Sequence, residues 1–297
     1  MAAAGTRPEL LDVLGRAIDG IESKYMTQGQ WTMPSSLKLT LAADDTPITF
    51  PMQRGAQPAE MARLHKAANP SPFGKGKETV VDESVRKAHE LKPGGFDGTV
   101  PAEVLEKVRG ELVPDATSIS AKLHKVNVYE KGGFFAEHRD TPRSDTHFGS
   151  LVVLLPSYHK GGALALSHAG QSATVDWART AIRDLTGESG YSYYCSWDPH
   201  AEARRAQEAA HTPSATLRYA AFFGDAQHSV CPVTDGSRIT LAYELYRDGT
   251  PDPASDALLL RAEACRAAFA AIADDASFMP GGGHLGFECA HLYEEKE

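Results

Sequence analysis

The stretch that decides the fold runs from Lys122 to Trp177, KLHKVNVYEKGGFFAEHRDTPRSDTHFGSLVVLLPSYHKGGALALSHAGQSATVDW. Four strand-like segments stand out in it: KLHKVNVYE (122–130), GSLVVLLP (149–156), ALALSH (163–168) and SATVDW (172–177). Glycine pairs at 132–133 and 161–162 and a proline at Pro156 separate them, and both residue types punctuate strands. The pattern returns as TLRYAAFF (216–223) and SRITLAYELYR (237–247). Short strands divided by glycine and proline predict an all-β sandwich or barrel rather than alternating βαβ units.

Outward from this block the periodicity changes. In ELLDVLGRAIDGIESKY (9–25), Leu10, Leu11, Leu14, Ile18 and Ile21 share one helical face, a packing stripe with no chemistry attached. LKLTLAADDTPITFPM (37–52) predicts two strands joined by a turn at Asp44-Asp45-Thr46-Pro47. Helical spacing covers 58–69 and stops at Asn69-Pro70-Ser71-Pro72. PFGKGKETVVDESVRKAHEL (72–91) lacks the GxxxxGK[ST] order of a phosphate loop and predicts a surface loop, with a place near the substrate mouth as the alternative. Helical character resumes at 101–110 and ends at Val113-Pro114. ARTAIRDL and HAEARRAQEAA make 178–213 a helical insertion between strands, of a kind that forms lids. An amphipathic helix over 254–273 precedes Pro280-Gly281-Gly282-Gly283. The expected organisation is helices and short strands over 1–119 packing on a core, a β domain over 120–248, and a helix with tail over 249–297.

Composition narrows the function classes. With 42% hydrophobic and 23% charged residues the chain carries a substantial core, and no apolar run is long enough to span a bilayer. The N-terminus lacks the basic-then-apolar order of a secretory leader. A formal charge of −9 points away from a broad nucleic-acid grip. Cys195, Cys231, Cys265 and Cys289 are scattered without a CxxC pair, as reduced thiols of a cytoplasmic protein are. A zinc site from Cys289, His284 and His291 has only their proximity behind it and is not adopted.

The chemistry gathers at His138-Arg139-Asp140. Strand side chains alternate with period two, so an imidazole and a carboxylate at His-x-Asp spacing face the same way. Alone the pair is weak, because 12 histidines supply one by chance in about every second such chain. Its context strengthens it. His228 follows the apolar strand RYAAFFGDAQH, with β-rich sequence between it and Asp140. Two histidines and one carboxylate form a facial triad that leaves adjacent positions open on non-haem iron(II). Arg238 opens the next strand, with Thr240 on the same face. A guanidinium grips a carboxylate through two hydrogen bonds and a nearby hydroxyl adds another. Tyr129, on the strand leading to His138, brings a phenol to the same carboxylate.

YEKGGFFAEHRDTPR, FGSLVVLLPSYHKGGALALSHAG and AAFFGDAQHSVCPVTDGSRITLAYELY together resemble the iron-binding domain of the prolyl 4-hydroxylase-like 2-oxoglutarate oxygenases. The resemblance is strongest over about 120–248, with fainter similarity from about 37 through PFGKGKETVVD to HLGFECAHLY. It implies a mainly β double-stranded β-helix (jelly roll) with flanking helices. It implies a dioxygenase that hydroxylates an unactivated C–H bond and releases succinate and CO2. The cofactors would be Fe(II), 2-oxoglutarate and O2, with ascorbate as an accompanying reductant. It makes His138, Asp140 and His228 the metal ligands, Arg238 the 2-oxoglutarate anchor, and Thr240 and Tyr129 its helpers. The substrate would be a prolyl residue of a peptide, a free amino acid or another small molecule, with no nucleic-acid or membrane partner. The family's halogenases lack the carboxylate that Asp140 supplies, which points away from halogenation. The long interval between Asp140 and His228 departs from compact members and leaves the substrate open.

Other readings stay beside this one. A jelly-roll binding or scaffold protein needs no Arg238 and Thr240 after the distal histidine, and a zinc hydrolase needs no carboxylate anchor. A nucleobase demethylase would carry a basic, aromatic stripe. His168 is expected to be structural, His147 and His159 to lie on the surface, and His124 to be packing. Asp225 is either a hydrogen-bonding support for a ligand or a turn residue. Trp177, Tyr193, Tyr194 and Trp197 are pocket or core aromatics.

Overall fold

The computed structural model describes residues 7–20, 24–33, 37–41, 44–52, 57–75, 78–92, 95–96, 99–178, 215–250, 256–287 and 291. Helix α1 (Arg7–Asp19) precedes β1 (Met26–Met33), β2 (Leu37–Leu41) and β3 (Asp44–Phe50), and α2 (Gln57–Ala67) follows. Six short strands come next: β4 (Asn69–Pro70), β5 (Phe73–Lys75), β6 (Glu78–Val80), β7 (Arg86–Lys87), β8 (His89–Leu91) and β9 (Gly95–Phe96). After α3 (Ala102–Leu112) come β10 (Ser118–Glu130), β11 (Phe134–His138), β12 (His147–Leu154), β13 (His159–Gly161), β14 (Leu164–His168) and β15 (Gln171–Val175). The described chain resumes with β16 (Ala215–Phe223), β17 (Gln227–Val230), β18 (Val233–Asp248) and α4 (Asp256–Asp274).

The strands divide between two large antiparallel sheets. The first has the order β1-β16-β12-β18-β10-β8-β4, with β13 also paired to β18, and the second β15-β14-β17-β11-β7. From β10 onward the chain crosses back and forth between them. β10, β12, β16 and β18 lie in the first sheet and β11, β14, β15 and β17 in the second. That crossing pattern is a jelly roll, flanked here by helices.

Composition explains the strand faces. Central strand β10 buries Val126, Asn127, Val128 and Tyr129 in succession, because its inner face meets the core and α3 packs on it. Leu151, Val153, Leu241 and Ile239 are fully buried in the same core. Each such side chain contributes roughly 1.5–3 kcal/mol of burial. Helices α1 and α4 close a smaller cluster of Leu14, Cys265, Ala268 and Ile272.

Several local readings change. Asp44–Pro47 belongs to β3 rather than to a turn: β3 is an edge strand, and a register irregularity opposite Leu39–Leu41 accommodates Pro47. The loop expected over 72–91 contains the β5–β6 hairpin and strands β7 and β8. The N-terminal residues also enter both main sheets, through β1, β4, β7 and β8. The helical insertion expected at 178–213 lies outside the described residues except for Ala178, whose N–H is capped by Asp176 Oδ1 at 3.0 Å. Among the described residues no helix is long and apolar enough to cross a membrane.

Candidate metal and anion site

Neighbouring strands of the second sheet bring the two distant histidines together. β11 and β17 are antiparallel, with His138 directly opposite His228. Their ring centroids are 4.1 Å apart. Asp140 lies just beyond the end of β11, where its N–H donates to Gly224 O at 3.0 Å. His228 Nε2 is 3.7 Å from Asp140 Oδ1. One ligand atom from each of the three residues lies within 4.8 Å of the others.

The surroundings decide which atoms are free. His138 Nδ1 contacts Ala136 O at 2.9 Å and His228 Nδ1 contacts Ala226 O at 3.0 Å. A carbonyl only accepts, so both Nδ1 atoms carry a hydrogen and Nε2 is the ring atom each histidine has for a metal. Ser150 Oγ donates to Asp140 Oδ2 at 2.6 Å and leaves Oδ1 on the histidine side. Burial first, and then the neighbouring His228, push the His138 pKa down to about 4, so this imidazole is neutral at physiological pH. Two imidazoles and a carboxylate, each oriented by a second partner, make a set able to hold a divalent metal.

Arg238 and Thr240 occupy the facing sheet. In β18, Arg238 pairs with Tyr129, and Thr240 with Asn127 and Leu154. Arg238 is 1% exposed, yet among the described residues its Nε and Nη2 have no hydrogen-bond partner, and neither does the buried Thr240 Oγ1. The guanidinium lies 5.5 Å from the Tyr129 ring centroid and 5.6 Å from that of Trp177. Burial pushes the Arg238 pKa down. An unpaired buried cation costs several kcal/mol, and a carboxylate with its bidentate geometry would remove that cost. Gly162, at φ +74°, lets the backbone approach: a Cβ there would meet Arg238 Cδ at 2.7 Å.

Other histidines depart from expectation. His159 is buried, not on the surface, because β13 folds it inward; its Nδ1 donates to Ser157 O at 3.1 Å. Burial, with Arg238 also opposing its cation, pushes its pKa down to about 4. His147 is half-buried and its Nδ1 accepts the Arg143 N–H at 3.2 Å. His124 sits at a β-bulge, 3.4 Å from Glu244 Oε1. Asp225 faces His168 and His291 rather than the triad. Trp177 flanks Arg238, whereas Tyr193, Tyr194, Trp197 and Cys289 lie outside the described residues.

Sequence reading missed Arg86. Its buried side chain donates to Asn127 Oδ1 at 2.9 Å and Pro72 O at 2.7 Å, and lies 4.4 Å over the Phe135 ring. Phe135 in turn stacks on His138 with centroids 3.5 Å apart. In VRKAHEL nothing distinguishes this arginine from its exposed neighbour Lys87.

No family model and no curated protein matches the chain. Among solved structures, the chain has similarity at low identity to several. A Pseudomonas putida prolyl-4-hydroxylase is 16% identical, over 80% of this chain and 100% of that chain, with TM-score 0.35. A 2OG-Fe(II) oxygenase family oxidoreductase from Burkholderia pseudomallei is 12% identical over 82% and 93%, with TM-score 0.32. A Trichoplax adhaerens prolyl hydroxylase, solved with a hypoxia inducible factor peptide, is 11% identical over 82% and 94%, with TM-score 0.38.

Proposed function

We propose that the protein is an iron(II)- and 2-oxoglutarate-dependent dioxygenase that hydroxylates an aliphatic C–H bond of a peptidyl or small-molecule substrate. The observation that carries this reading is the buried, unpartnered guanidinium of Arg238 inside a jelly roll that also holds a pre-oriented His-Asp-His triad. A metal-binding scaffold or a zinc hydrolase has no use for that cation.

His138 Nε2, His228 Nε2 and Asp140 Oδ1 would hold the metal. Arg238 and Thr240 would bind the distal carboxylate of 2-oxoglutarate, leaving its 2-oxo-acid end for the metal. Iron(II) with 2-oxoglutarate supplies the oxidising power that couples decarboxylation to succinate and CO2 with insertion of one oxygen atom of O2 into the C–H bond. The chain's share is positioning and exclusion of water. The Ala136 and Ala226 carbonyls keep both imidazoles in one tautomer, and Ser150 fixes the carboxylate rotamer. Tyr129 and Trp177 wall the guanidinium off from water, so it keeps its full strength for an anion.

The test is anaerobic titration of iron(II) and then 2-oxoglutarate into metal-free protein. A weak visible charge-transfer absorption that disappears on admitting air, with succinate formed, is the expected result. Folded protein that binds iron but shows no absorption change with 2-oxoglutarate would overturn the anchor assignment.

A further inference from the structure

A second His-Asp-His cluster lies outside the triad. His168 ends β14, Asp225 sits in the turn between β16 and β17, and His291 comes from the C-terminal segment. One ligand atom from each lies within 4.8 Å of the others. His168 Nε2 is 3.3 Å from Asp225 Oδ2, and His291 Nδ1 is 3.3 and 3.2 Å from Oδ1 and Oδ2. The two imidazole centroids are 4.7 Å apart.

These spacings suit a metal. Ligands at roughly 2.0–2.1 Å around a tetrahedral ion stand about 3.3 Å from one another, and both histidine-to-carboxylate separations match that figure. They are longer than the roughly 2.7–2.9 Å of a charge-assisted N–H···O bond. Packing holds the rings partly in place: His168 stacks on Tyr25 with centroids 5.7 Å apart, and His291 rests 4.1 Å from the Phe223 ring. The side chains are largely buried, at 8% exposure for His168, 16% for Asp225 and 22% for His291. A cleft of about 390 Å³ opens beside them, lined in part by His168, Asp225, Arg139, Gln171 and Gln227. That cleft leaves room for a water ligand at a fourth position.

The cluster also joins distant parts of the chain. Residues 282–287 are exposed and without regular structure, yet His291 returns to the jelly-roll rim. We infer that His168, Asp225 and His291 bind a divalent transition-metal ion of the zinc type, which clamps the C-terminal segment to the rim of the jelly roll. Imidazole with carboxylate suits such an ion, and its bonds supply the energy that the exposed approach to His291 lacks. The turn it holds is shared with the triad. Asp225 lies between Gly224, which accepts the Asp140 N–H, and Ala226, which accepts His228 Nδ1–H.

The experiment is equilibrium dialysis of chelator-stripped, full-length protein against zinc(II), with metal counted per chain. Two ions are expected, one for each cluster. His138→Ala should lose one, His291→Asn and His168→Gln should each lose the other, and His138→Ala with His291→Asn should lose both. His291→Cys should keep two, because a thiolate ligates zinc; asparagine preserves a hydrogen bond to Asp225 but is a poor ligand. Zinc should also protect the chain beyond α4 from limited proteolysis in the wild type and in His291→Cys, but not in His291→Asn. A wild type whose only ion is lost in His138→Ala, or an unchanged count in both His291→Asn and His168→Gln, overturns the clamp. Failure of the triad instead shows in the His138→Ala count, so the two assignments fall separately.

Discussion

The two His-Asp-His clusters use the same donors and differ in what orients them. At His138, Asp140 and His228 every ligand has an outside partner: two backbone carbonyls fix the imidazoles and Ser150 fixes the carboxylate. At His168, Asp225 and His291 the imidazoles make their hydrogen bonds to the carboxylate itself. The first cluster is organised before any metal arrives. The second joins three segments whose arrangement depends on what sits between them. Donor composition alone therefore does not define a centre; the partners of the donors do.

The largest effect expected from breaking this contrast is at Asp140. Asp140→Ala should reduce iron-dependent succinate formation to background, and the zinc count at the second cluster should be unchanged in the same protein. Succinate release and metal content measured on one preparation check both halves.

Arg238, on the sheet facing the first cluster, is a buried cation. Arg238→Met should raise the half-saturating 2-oxoglutarate concentration by roughly ten- to hundredfold, the loss of a charge-assisted pair worth about 1.5–3 kcal/mol. The same substitution should make the protein without cosubstrate more stable, by about 1–3 kcal/mol in urea denaturation, because it removes an unpaired buried cation. A variant that loses stability while keeping its 2-oxoglutarate requirement would contradict the anchor.

Ser150→Ala tests pre-orientation itself. Removing the hydroxyl that holds Asp140 Oδ2 should weaken metal binding at the triad by about tenfold or somewhat more, leaving the fold and the second cluster intact. Competition with a chromophoric chelator measures it. An unchanged affinity would mean that backbone geometry alone sets the carboxylate.

A further effect concerns the proton. In the folded chain His159 stays neutral down to about pH 4, whereas the unfolded chain takes up that proton below about 6.5. The unfolded state therefore binds more protons in this window, and stability falls as pH drops from about 6.5 to about 4, levelling off below. Above 6.5 the contribution is fully present. In the metal-free protein, His159→Asn should flatten this part of the stability profile, by up to about 3 kcal/mol, as read by denaturation at a series of pH values.

Legibility differed by region. The strands around 122–130, 149–156, 216–223 and 237–247 could be read because β-branched and apolar runs between glycines have few other solutions. His138, Asp140, Arg238 and Thr240 were legible as candidates because period-two alternation groups them in two pairs, and the resemblance joined the pairs with His228. Pro47 misled because an edge strand with an irregular register tolerates a proline that a central strand would exclude. His159 was misplaced because a short strand beside glycines reads like a surface corner. Arg86 left no trace in the sequence, since its burial depends on Asn127 and Phe135, which lie 41 and 49 positions away.

The sequence by itself determined the strand alternation, an all-β sandwich or barrel, and the candidate ligand residues of one cluster, because local periodicity and side-chain chemistry need no partner to be read; the jelly roll came from the resemblance. The tertiary structure decided that Arg238 is buried with no anion beside it among the described residues, and that His168, Asp225 and His291 meet. Those facts depend on contacts between residues tens of positions apart, and only the closing of the two sheets and the return of the C-terminal segment create them.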